Sequence, residues 1–487
     1  MLFNSFTYLV FLPLVILLHW LMPRRFRSWF LLGASYLFYM NWIPRYGLLI
    51  LFLTVVNYFI GLGIAKHTDK RKILFNIGLC FNLGALCFFK YAAFLIDSIW
   101  SVFHFVGWQQ TVQPAINILL PLGISFFTFE FIHYITDVYK GDSPIRNFKD
   151  FALFAAFFPT QIAGPIKRYQ DFTKQLVNHV TFKQVDFRSG IFLVLQGLYK
   201  KMVLGDNLGA IVNYGFTHVS EMPVTDTWIA VVGFTFQIFF DFSGYTDIGR
   251  GSAALLGYKV PENFNWPFLA ANLTDFWRRW HMSLSTWLRD YLFIPLGGSR
   301  GSPWAVRRNL LITMLLGGLW HGAAWHYVIW GGFHGLGLII SKDWHDFVSK
   351  YALLSNWRTT KLWHYTGVLF TLLFLFLAGL FFRANNLHDV WILCCSMIDF
   401  PASNALPHDV TRLFLQSTVP ISIIAYCLFL LMRSISSNNY LWRYLTEHTC
   451  RYWSNTPALR LATYTAVALI ILGFAPSTVT PFIYFQF

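Results

Sequence analysis

Three histidines stand in one apolar stretch of the chain, Leu310 to Ile340, whose sequence is LLITMLLGGLWHGAAWHYVIWGGFHGLGLII. They are His321, His326 and His334. An imidazole is well suited to take a proton from a hydroxyl near neutral pH, and such a general base contributes ~10²- to 10⁴-fold to a rate. A buried histidine can also be structural, donating a ring N–H to a carbonyl of a neighbouring helix. Both interpretations are open for any one of these histidines taken alone.

A metal site is a weaker interpretation of the same residues. His321 and His326 are five positions apart, so they would diverge by about 140° on an α-helix. No Cys or carboxylate joins them at ligand spacing. We therefore predict no metal site. The P-loop, the Gly-x-Ser-x-Gly elbow and the dinucleotide fingerprint are also missing from the sequence, so no bound cofactor is predicted.

A further histidine lies in the stretch Asp275 to Ile294, DFWRRWHMSLSTWLRDYLFI. Its Trp and Leu residues and His281 recur at the i, i+3, i+4, i+7 spacing of one helical face, and the arginines lie off that face. The pattern predicts one amphipathic helix on the cytoplasmic side, capped by Asn272 or Thr274 and ended by Gly297-Gly298. We expect His281 to point toward the apolar interior.

Other ionisable side chains inside apolar runs each need a reason, because one at the bilayer centre costs roughly 2.5–3.5 kcal/mol on insertion scales. They are Lys90, Asp97, Glu130, Asp241 and Asp247. We expect Asp247 to pair with Arg250. For Asp241 a structural role and a role in orienting an imidazole or closing a polar path are equally open.

Glycines surround the histidines of the apolar stretch and predict how its backbone is built. A straight helix so rich in Gly would be weak, since Gly costs ~1 kcal/mol relative to Ala in a helix interior. We expect these glycines to let helices or a substrate chain approach closely, or to let the backbone break. At ~1.5 Å per residue the stretch is too long for one upright crossing and too short for two. Two short helices meeting near His321 are therefore predicted.

The composition decides the class of protein that must position these residues. Of the 487 residues, 56% are hydrophobic and only 12% are charged, which excludes a water-soluble fold. Apolar runs near bilayer length recur from Phe3–Leu21 to Leu415–Met432, and at ~20 residues per crossing they predict an all-α polytopic membrane protein with about 11–12 spans. Phe151 to Ala163 is too short to cross and predicts a re-entrant or interfacial segment on the cytoplasmic side. No linker or repeat divides the chain, so residues 1–487 are expected to form a single domain.

The net charge of +15 is explained first by membrane topology. Lys and Arg concentrate in alternate connections between the apolar runs, and by the positive-inside rule those connections are cytoplasmic, which places both termini outside. No nucleic-acid partner is predicted. The basic residues near the motifs could attract an anionic substrate, but they are expected from topology alone, so no donor-binding residue is assigned. These residues are Lys167, Arg168, Arg278 and Arg279.

The residues match a known family. The motifs are FFPTQIAGPIKRY (Phe157 to Tyr169), FFDFSGYTDIGRG (Phe239 to Gly251), FWRRWHMSLSTWLRDYLFIPLGG (Phe276 to Gly298) and LWHGAAWHYVIWGGFHG (Leu319 to Gly335). In this order they resemble the membrane-bound O-acyltransferase family. The resemblance is greatest to the bacterial branch that contains the alginate O-acetyltransferase membrane subunit and the peptidoglycan O-acetyltransferase, and less to the D-alanyl transferases of teichoic acids.

The resemblance implies a helical bundle with a central funnel, in a multi-pass protein of the bacterial inner membrane. It implies that His321 matches the family's essential histidine and that His281 matches its second active-site position. It further implies acetyl-CoA, or another acyl thioester, as the cytoplasmic donor. A periplasmic partner of the SGNH-esterase type would then acetylate a polysaccharide such as alginate, peptidoglycan or another exopolysaccharide.

Two alternatives to an enzyme are open at this point. A non-enzymatic transporter would explain the spans, the glycines and the buried charges, although the inverted repeats common in transporters are not visible. A scaffold for a polysaccharide export complex would predict that histidine variants remain functional. The acceptor hydroxyl is not identified by the sequence.

Overall fold

The computed structural model describes residues 1–107, 118–162, 164–178, 180–398, 409–422, 424, 456–476 and 478–483. Within these ranges every regular element is a helix, which confirms the predicted all-α class. The predicted apolar run Leu415–Met432 and the end of the re-entrant segment at Ala163 lie in part outside the described residues.

The described helices group into two compact units that alternate along the chain. Unit 1 is drawn from residues 1–190 and 252–374, and unit 2 from residues 191–251 and 375–483. Both histidines that the sequence selects for catalysis belong to unit 1. The description of the chain as one domain stays a prediction.

Nine α-helices are described in the N-terminal part of unit 1. They are α1 Phe6–Leu21, α2 Arg24–Met40, α3 Arg45–Lys66, α4 Arg71–Leu86, α5 Ala92–Phe105, α6 Ile124–Lys140, α7 Phe148–Ala156, α8 Phe158–Gln161 and α9 Tyr169–Val177. A π-helical turn, Cys87–Tyr91, joins α4 to α5 without a break. The resulting run, Arg71–Phe105, is 35 residues long.

The other described helices are distributed over both units. They are α10 Phe187–Leu198, α11 Asp206–Thr217, α12 Val224–Leu255, α13 Leu273–Arg279, α14 Met282–Leu288, α15 Pro303–His321, α16 Trp325–Val348, α17 Ala352–Trp357, α18 Lys361–Arg383, α19 Leu387–Ser396, α20 Asp409–Gln416 and α21 Pro457–Phe474. Two more π-helical segments, Tyr199–Gly205 and Arg289–Phe293, follow α10 and α14, and short 3₁₀ turns lie at Phe182–Gln184, Val219–Glu221 and Pro267–Leu269.

Five of the described helical runs are long and apolar enough to cross a membrane: Arg45–Lys66, Arg71–Phe105, Val224–Leu255, Lys361–Arg383 and Pro457–Phe474. This confirms the prediction of a polytopic membrane protein. The predicted total of about 11–12 spans requires shorter or more polar helices to cross as well, and that total and the central funnel remain predictions.

The segment predicted to be re-entrant is built as two short helices. Helices α7 and α8 have nine and four residues, and the chain bends between them at Phe157, where ψ is 104°. The side chain of Asn147 caps the start of α7 by accepting a bond from Lys149 N at 3.0 Å. Ser35 Oγ of α2 accepts the first N–H of α8, from Phe158, at 3.1 Å. Both helices are buried in unit 1 and neither is long enough to cross a bilayer.

Candidate active site around Trp320

Helices α15 and α16 form the hairpin that carries His321, and glycines bring their backbones into contact. A Cβ placed on Gly318 would lie 2.9 Å from the Cα of Gly331, and one on Gly331 would lie 3.0 Å from the Cα of Gly318. Only glycine permits this approach. The predicted close packing and the meeting of two helices near His321 are confirmed. The helices are not short, however, with 19 and 24 residues, because polar turns extend both of them beyond the apolar stretch.

His321 is the last residue of α15, and 6% of it is exposed. The next residue, Gly322, is extended with φ −161° and ψ 154°, so the helix stops at the histidine. Helix α16 restarts at Trp325. The imidazole is therefore presented at a helix end inside unit 1.

The prediction of one amphipathic helix over Asp275–Ile294 is wrong. Helix α13 ends at Arg279, Trp280 is extended, and His281 has φ 42° and ψ 55° before α14 begins. A left-handed residue cannot continue a right-handed helix, so the chain breaks at the histidine itself. The expectation that His281 faces the interior is confirmed, since 0% of it is exposed. Asn272 is the cap of α13, accepting a bond from Asp275 N at 2.8 Å.

Asn263 holds the chain immediately after His281. Its backbone carbonyl accepts a bond from Met282 N at 2.9 Å, and its side-chain Oδ1 accepts bonds from Ser283 N at 3.1 Å and Ser283 Oγ at 2.8 Å. Ser283 Oγ in turn accepts a bond from Ile166 N at 3.0 Å. A left-handed non-glycine residue costs ~1–3 kcal/mol and persists only where its surroundings over-determine it. The network around the buried Asn263 supplies that constraint.

An indole ring joins the two predicted catalytic histidines. The ring centroid of Trp320 lies 5.9 Å from that of His281 and 5.0 Å from that of His321. The row continues from His321 to Trp330 at 4.9 Å and from Trp330 to His334 at 4.5 Å. The structure thus brings His281 and His321 together, and it adds His334 to the same row.

An apolar cluster packs against Trp320 and holds its ring in place. Its ring stacks on Phe129 at 5.4 Å, and Phe129 stacks on Trp287 at 3.7 Å. Trp287 Nε1 donates a bond to the Phe129 carbonyl at 3.0 Å. The cluster comprises Phe129, Ile132, Ile166, Leu284, Trp287, Leu288 and Trp320. Side chains locked in this way hold the reacting groups in one geometry, which is a large part of what catalysis requires.

Burial lowers the pKa of His281 to about 3. His281 lies between two helices of seven residues each, α13 and α14, which are too short to cross a membrane. The imidazole is therefore neutral at pH 7 and has one N–H donor and one acceptor nitrogen. A neutral imidazole in this place can donate a hydrogen bond to a carbonyl oxygen.

The basic residues near the motifs are mostly bound to acids. The buried Lys167 Nζ lies 2.7 and 3.0 Å from the two carboxylate oxygens of Glu130. Arg168 pairs with Asp290 at 2.6 Å, and the Arg279 guanidinium pairs with its neighbour Asp275 at 2.9 Å. Lys167 thus has a structural partner rather than a free charge for an anionic substrate.

The two aspartates of unit 2 are bound by lysines. Asp241 pairs with Lys201 at 2.6 Å and accepts a bond from Ile483 N at 2.7 Å, which favours the structural interpretation. Asp247 pairs with Lys200 at 2.7 Å, and the predicted pair with Arg250 is confirmed at 3.6 Å.

His326 is half-buried with its ring 4.0 Å from that of Tyr327. Among the residues that the structure describes, no group of three or more His, Cys, Asp or Glu side chains is arranged to hold a metal ion.

Comparison with known proteins identifies the family. The sequence model of the membrane-bound O-acyltransferase family matches residues 124–383, which include the hairpin, His281 and the whole Trp320 cluster. The chain belongs to the membrane-bound O-acyltransferase family. It is therefore an O-acyltransferase, and the alternatives of a non-enzymatic transporter or scaffold are set aside.

Relatives of this O-acyltransferase act on different polymers, by their names. It is 41% identical over 408 residues to the probable alginate O-acetylase of Azotobacter vinelandii, covering 82% of this chain and 78% of the relative. It is 34% identical to the peptidoglycan O-acetyltransferase of Helicobacter pylori, covering 74% and 72%. It is 29% identical to the teichoic acid D-alanyltransferase of Bacillus subtilis, covering 61% and 80%. The identities agree with the predicted order of resemblance.

Sequence reasoning missed Asn263, and it gave Lys90 no role. Asn263 carries no local signal, because its importance comes from the fold that sets it beside Met282 and Ser283. Lys90 did carry a signal as a charge in an apolar run of this O-acyltransferase.

Proposed function

We propose that this O-acyltransferase takes an acetyl group from cytoplasmic acetyl-CoA and moves it across the bacterial inner membrane for O-acetylation of an extracytoplasmic polysaccharide, through a periplasmic SGNH-type partner. The observation that carries the proposal is the burial of His281 and His321 against one indole ring, that of Trp320. The names of the alginate and peptidoglycan relatives support a polysaccharide hydroxyl as the final acceptor.

His321 is the proposed general base. Its imidazole takes the proton of the acceptor hydroxyl while that oxygen forms a bond to the thioester carbonyl carbon. The carbon–sulfur bond then breaks, and the CoA thiolate leaves and recovers the proton. The acetyl ester and the free CoA thiol are the products, so atoms and charge balance without a cofactor.

His281 is the proposed partner of His321 at the thioester. As a neutral imidazole it donates its one N–H to the carbonyl oxygen, where negative charge develops, or it positions that oxygen. Its left-handed backbone and the Asn263 network hold the ring in place. Removing one such donor typically costs ~10²- to 10³-fold in turnover.

The test of the base uses purified protein with labelled acetyl-CoA, the candidate partner and polysaccharide. The expected result for His321→Ala is a loss of ~10²- to 10⁴-fold in turnover, because a general base contributes that much. The matched control is His19→Ala, which removes another buried histidine of unit 1. Folded His321→Ala with normal turnover would show that the base has been wrongly assigned.

The donor, partner and acceptor are tested separately in the same mixture. Label should reach polysaccharide only when acetyl-CoA, this protein and the partner are all present. Parallel reactions with alginate and with peptidoglycan fragments identify the polymer. Transfer without the partner would remove the partner from the proposal, and transfer from another acyl thioester alone would remove acetyl-CoA.

We propose that both termini of the chain lie in the periplasm. In a cysteine-free background, Asp69→Cys, in the exposed basic loop after α3, should react with an impermeant thiol reagent only after the membrane is opened. Val106→Cys, which directly follows α5 at the start of the next connection and is exposed, should react in intact cells from which the outer membrane has been stripped. The reverse pattern would invert the orientation.

A further inference from the structure

Lys90 lies in the middle of the run Arg71–Phe105, which is long and apolar enough to cross a membrane. It belongs to the π-helical turn Cys87–Tyr91, and such turns occur frequently at functional sites. An ammonium placed there is costly, so an intramembrane lysine calls for a specific role.

The Lys90 ammonium binds the end of the helix that carries His321. Its Nζ donates to the Trp320 carbonyl, lies 3.4 Å from the His321 carbonyl oxygen, and lies 3.5 Å from Ser125 Oγ. It also lies 5.8 Å from the centroid of the Trp320 ring. Across the residues that the structure describes, its hydrogen-bond acceptors are all uncharged. The partial negative charge at the C-terminal end of α15 stabilises the positive charge of the Lys90 ammonium.

Helix α15 needs this outside donor because of how it ends. The last carbonyls of a helix have no partner within it, and a left-handed glycine often folds an N–H back onto them. Gly322 is extended instead, with φ −161°. The neighbouring Tyr91 hydroxyl donates to the Leu319 carbonyl at 2.9 Å. Lys90 and Tyr91, which lie in one helical turn, therefore bind the last three carbonyls of α15.

We propose that Lys90 is a positioning residue for His321: its ammonium fixes the peptide carbonyls of Trp320 and His321 and thereby sets the place of the imidazole. The inference rests on the proposed function of His321. A displacement of a reacting group by about 1 Å can cost ~10²-fold in rate, and this is the scale of the expected effect. We expect substrate binding to the remainder of the protein to be unchanged when Lys90 is replaced.

The test compares three substitutions of Lys90 in the complete transfer assay with labelled acetyl-CoA. Lys90→Met removes the donor and should lower kcat by 10- to 100-fold while leaving KM for acetyl-CoA within about twofold. Lys90→Gln and Lys90→Arg keep N–H donors and should retain at least about a tenth of kcat. The matched control is Lys200→Met, which removes a lysine bound to Asp247 in unit 2 and should keep kcat within about threefold.

The outcomes separate this proposal from the one it rests on. Loss of turnover in His321→Ala together with normal kcat in folded Lys90→Met would overturn the role of Lys90 alone. Normal turnover in His321→Ala would overturn the base itself. If Lys90→Met does not fold, the Gln and Arg variants decide. A loss of more than about 10-fold in both, with intact folding, would show that donors to the carbonyls are not what matters.

Discussion

Replacing His281 by glycine should destabilise the protein less than replacing it by alanine, when the same pair of substitutions at Ser285 is taken as the reference. Both substitutions at 281 remove the imidazole, so the difference between them reports the backbone. His281 has φ 42° and ψ 55°, where an L-residue is strained, whereas Ser285 lies within α14 in ordinary helical conformation. The comparison thus isolates the left-handed turn that places the histidine.

The expected size follows from the backbone conformation. At Ser285 alanine should be more stable than glycine by about 1 kcal/mol, the usual helix-interior difference. At 281 the left-handed conformation costs an L-residue about 1–2 kcal/mol that glycine avoids. The freedom of glycine in the unfolded chain and the loss of the alanine methyl act similarly at both sites and largely cancel. The double difference should therefore be about 1–2 kcal/mol.

Thermal unfolding of the four purified variants in one detergent measures this difference. At an unfolding entropy of about 2.1 cal/mol/K per residue, a double difference of this size corresponds to roughly 1–2 °C in Tm for a chain of 487 residues. Acetyl transfer is measured on the same samples, and both variants at 281 should remain impaired because neither has the imidazole. An equal preference for alanine at both positions would refute the strain, and full turnover in His281→Gly would refute the proposed role of the ring.

Gly318→Ala should destabilise the hairpin by at least about 1–3 kcal/mol through overpacking. Gly33→Ala, whose added Cβ has nothing within 4 Å, should instead stabilise α2 by about 0.5–1 kcal/mol. Changes in Tm of the same sign for the two variants would contradict this. Glu130→Gln leaves the buried Lys167 ammonium without its carboxylate and should lower the free energy of unfolding by about 3–5 kcal/mol, seen as a lower Tm. Adding Lys167→Met should recover part of this loss. An unchanged Tm in the single variant would disprove the argument. Because burial lowers the pKa of His281 to about 3, folding loses stability as pH falls below about 6.5, by roughly 1.4 kcal/mol at pH 5.5. The free energy of unfolding of His281→Asn, measured by denaturation at pH 7.5 and 5.5, should fall by that much less than in the unmodified protein. An identical loss of stability in the variant would show that His281 is not its source.

The hairpin of His321 could be predicted because glycine has a direct steric meaning. Gly318 and Gly331 lie where two backbones touch, and no other residue fits there. The burial of His281 followed equally from the spacing of its apolar neighbours. Each of these features is encoded within a few turns of the chain, so local pattern was sufficient to find it.

The break at His281 could not be predicted, because its cause is remote in sequence. The helical periodicity continues through Trp280 and His281, and local propensity favours one helix. Bonds from Asn263 to Met282 and Ser283 hold the left-handed turn instead. The pairing of Glu130 with Lys167 was missed for the same reason, since the two are 37 positions apart.

That separation has a consequence for biosynthesis. Chains are made from the N-terminus at about 5–20 residues per second, so Glu130 leaves the ribosome roughly 2–7 s before Lys167. During that interval α6 carries a carboxylate whose lysine partner has not yet left the ribosome, and α7 and α8, which lie between the two residues, are still emerging. We expect the insertion machinery to hold α6 until the lysine emerges, so that α6, the short helices α7 and α8 and Lys167 enter the bilayer together.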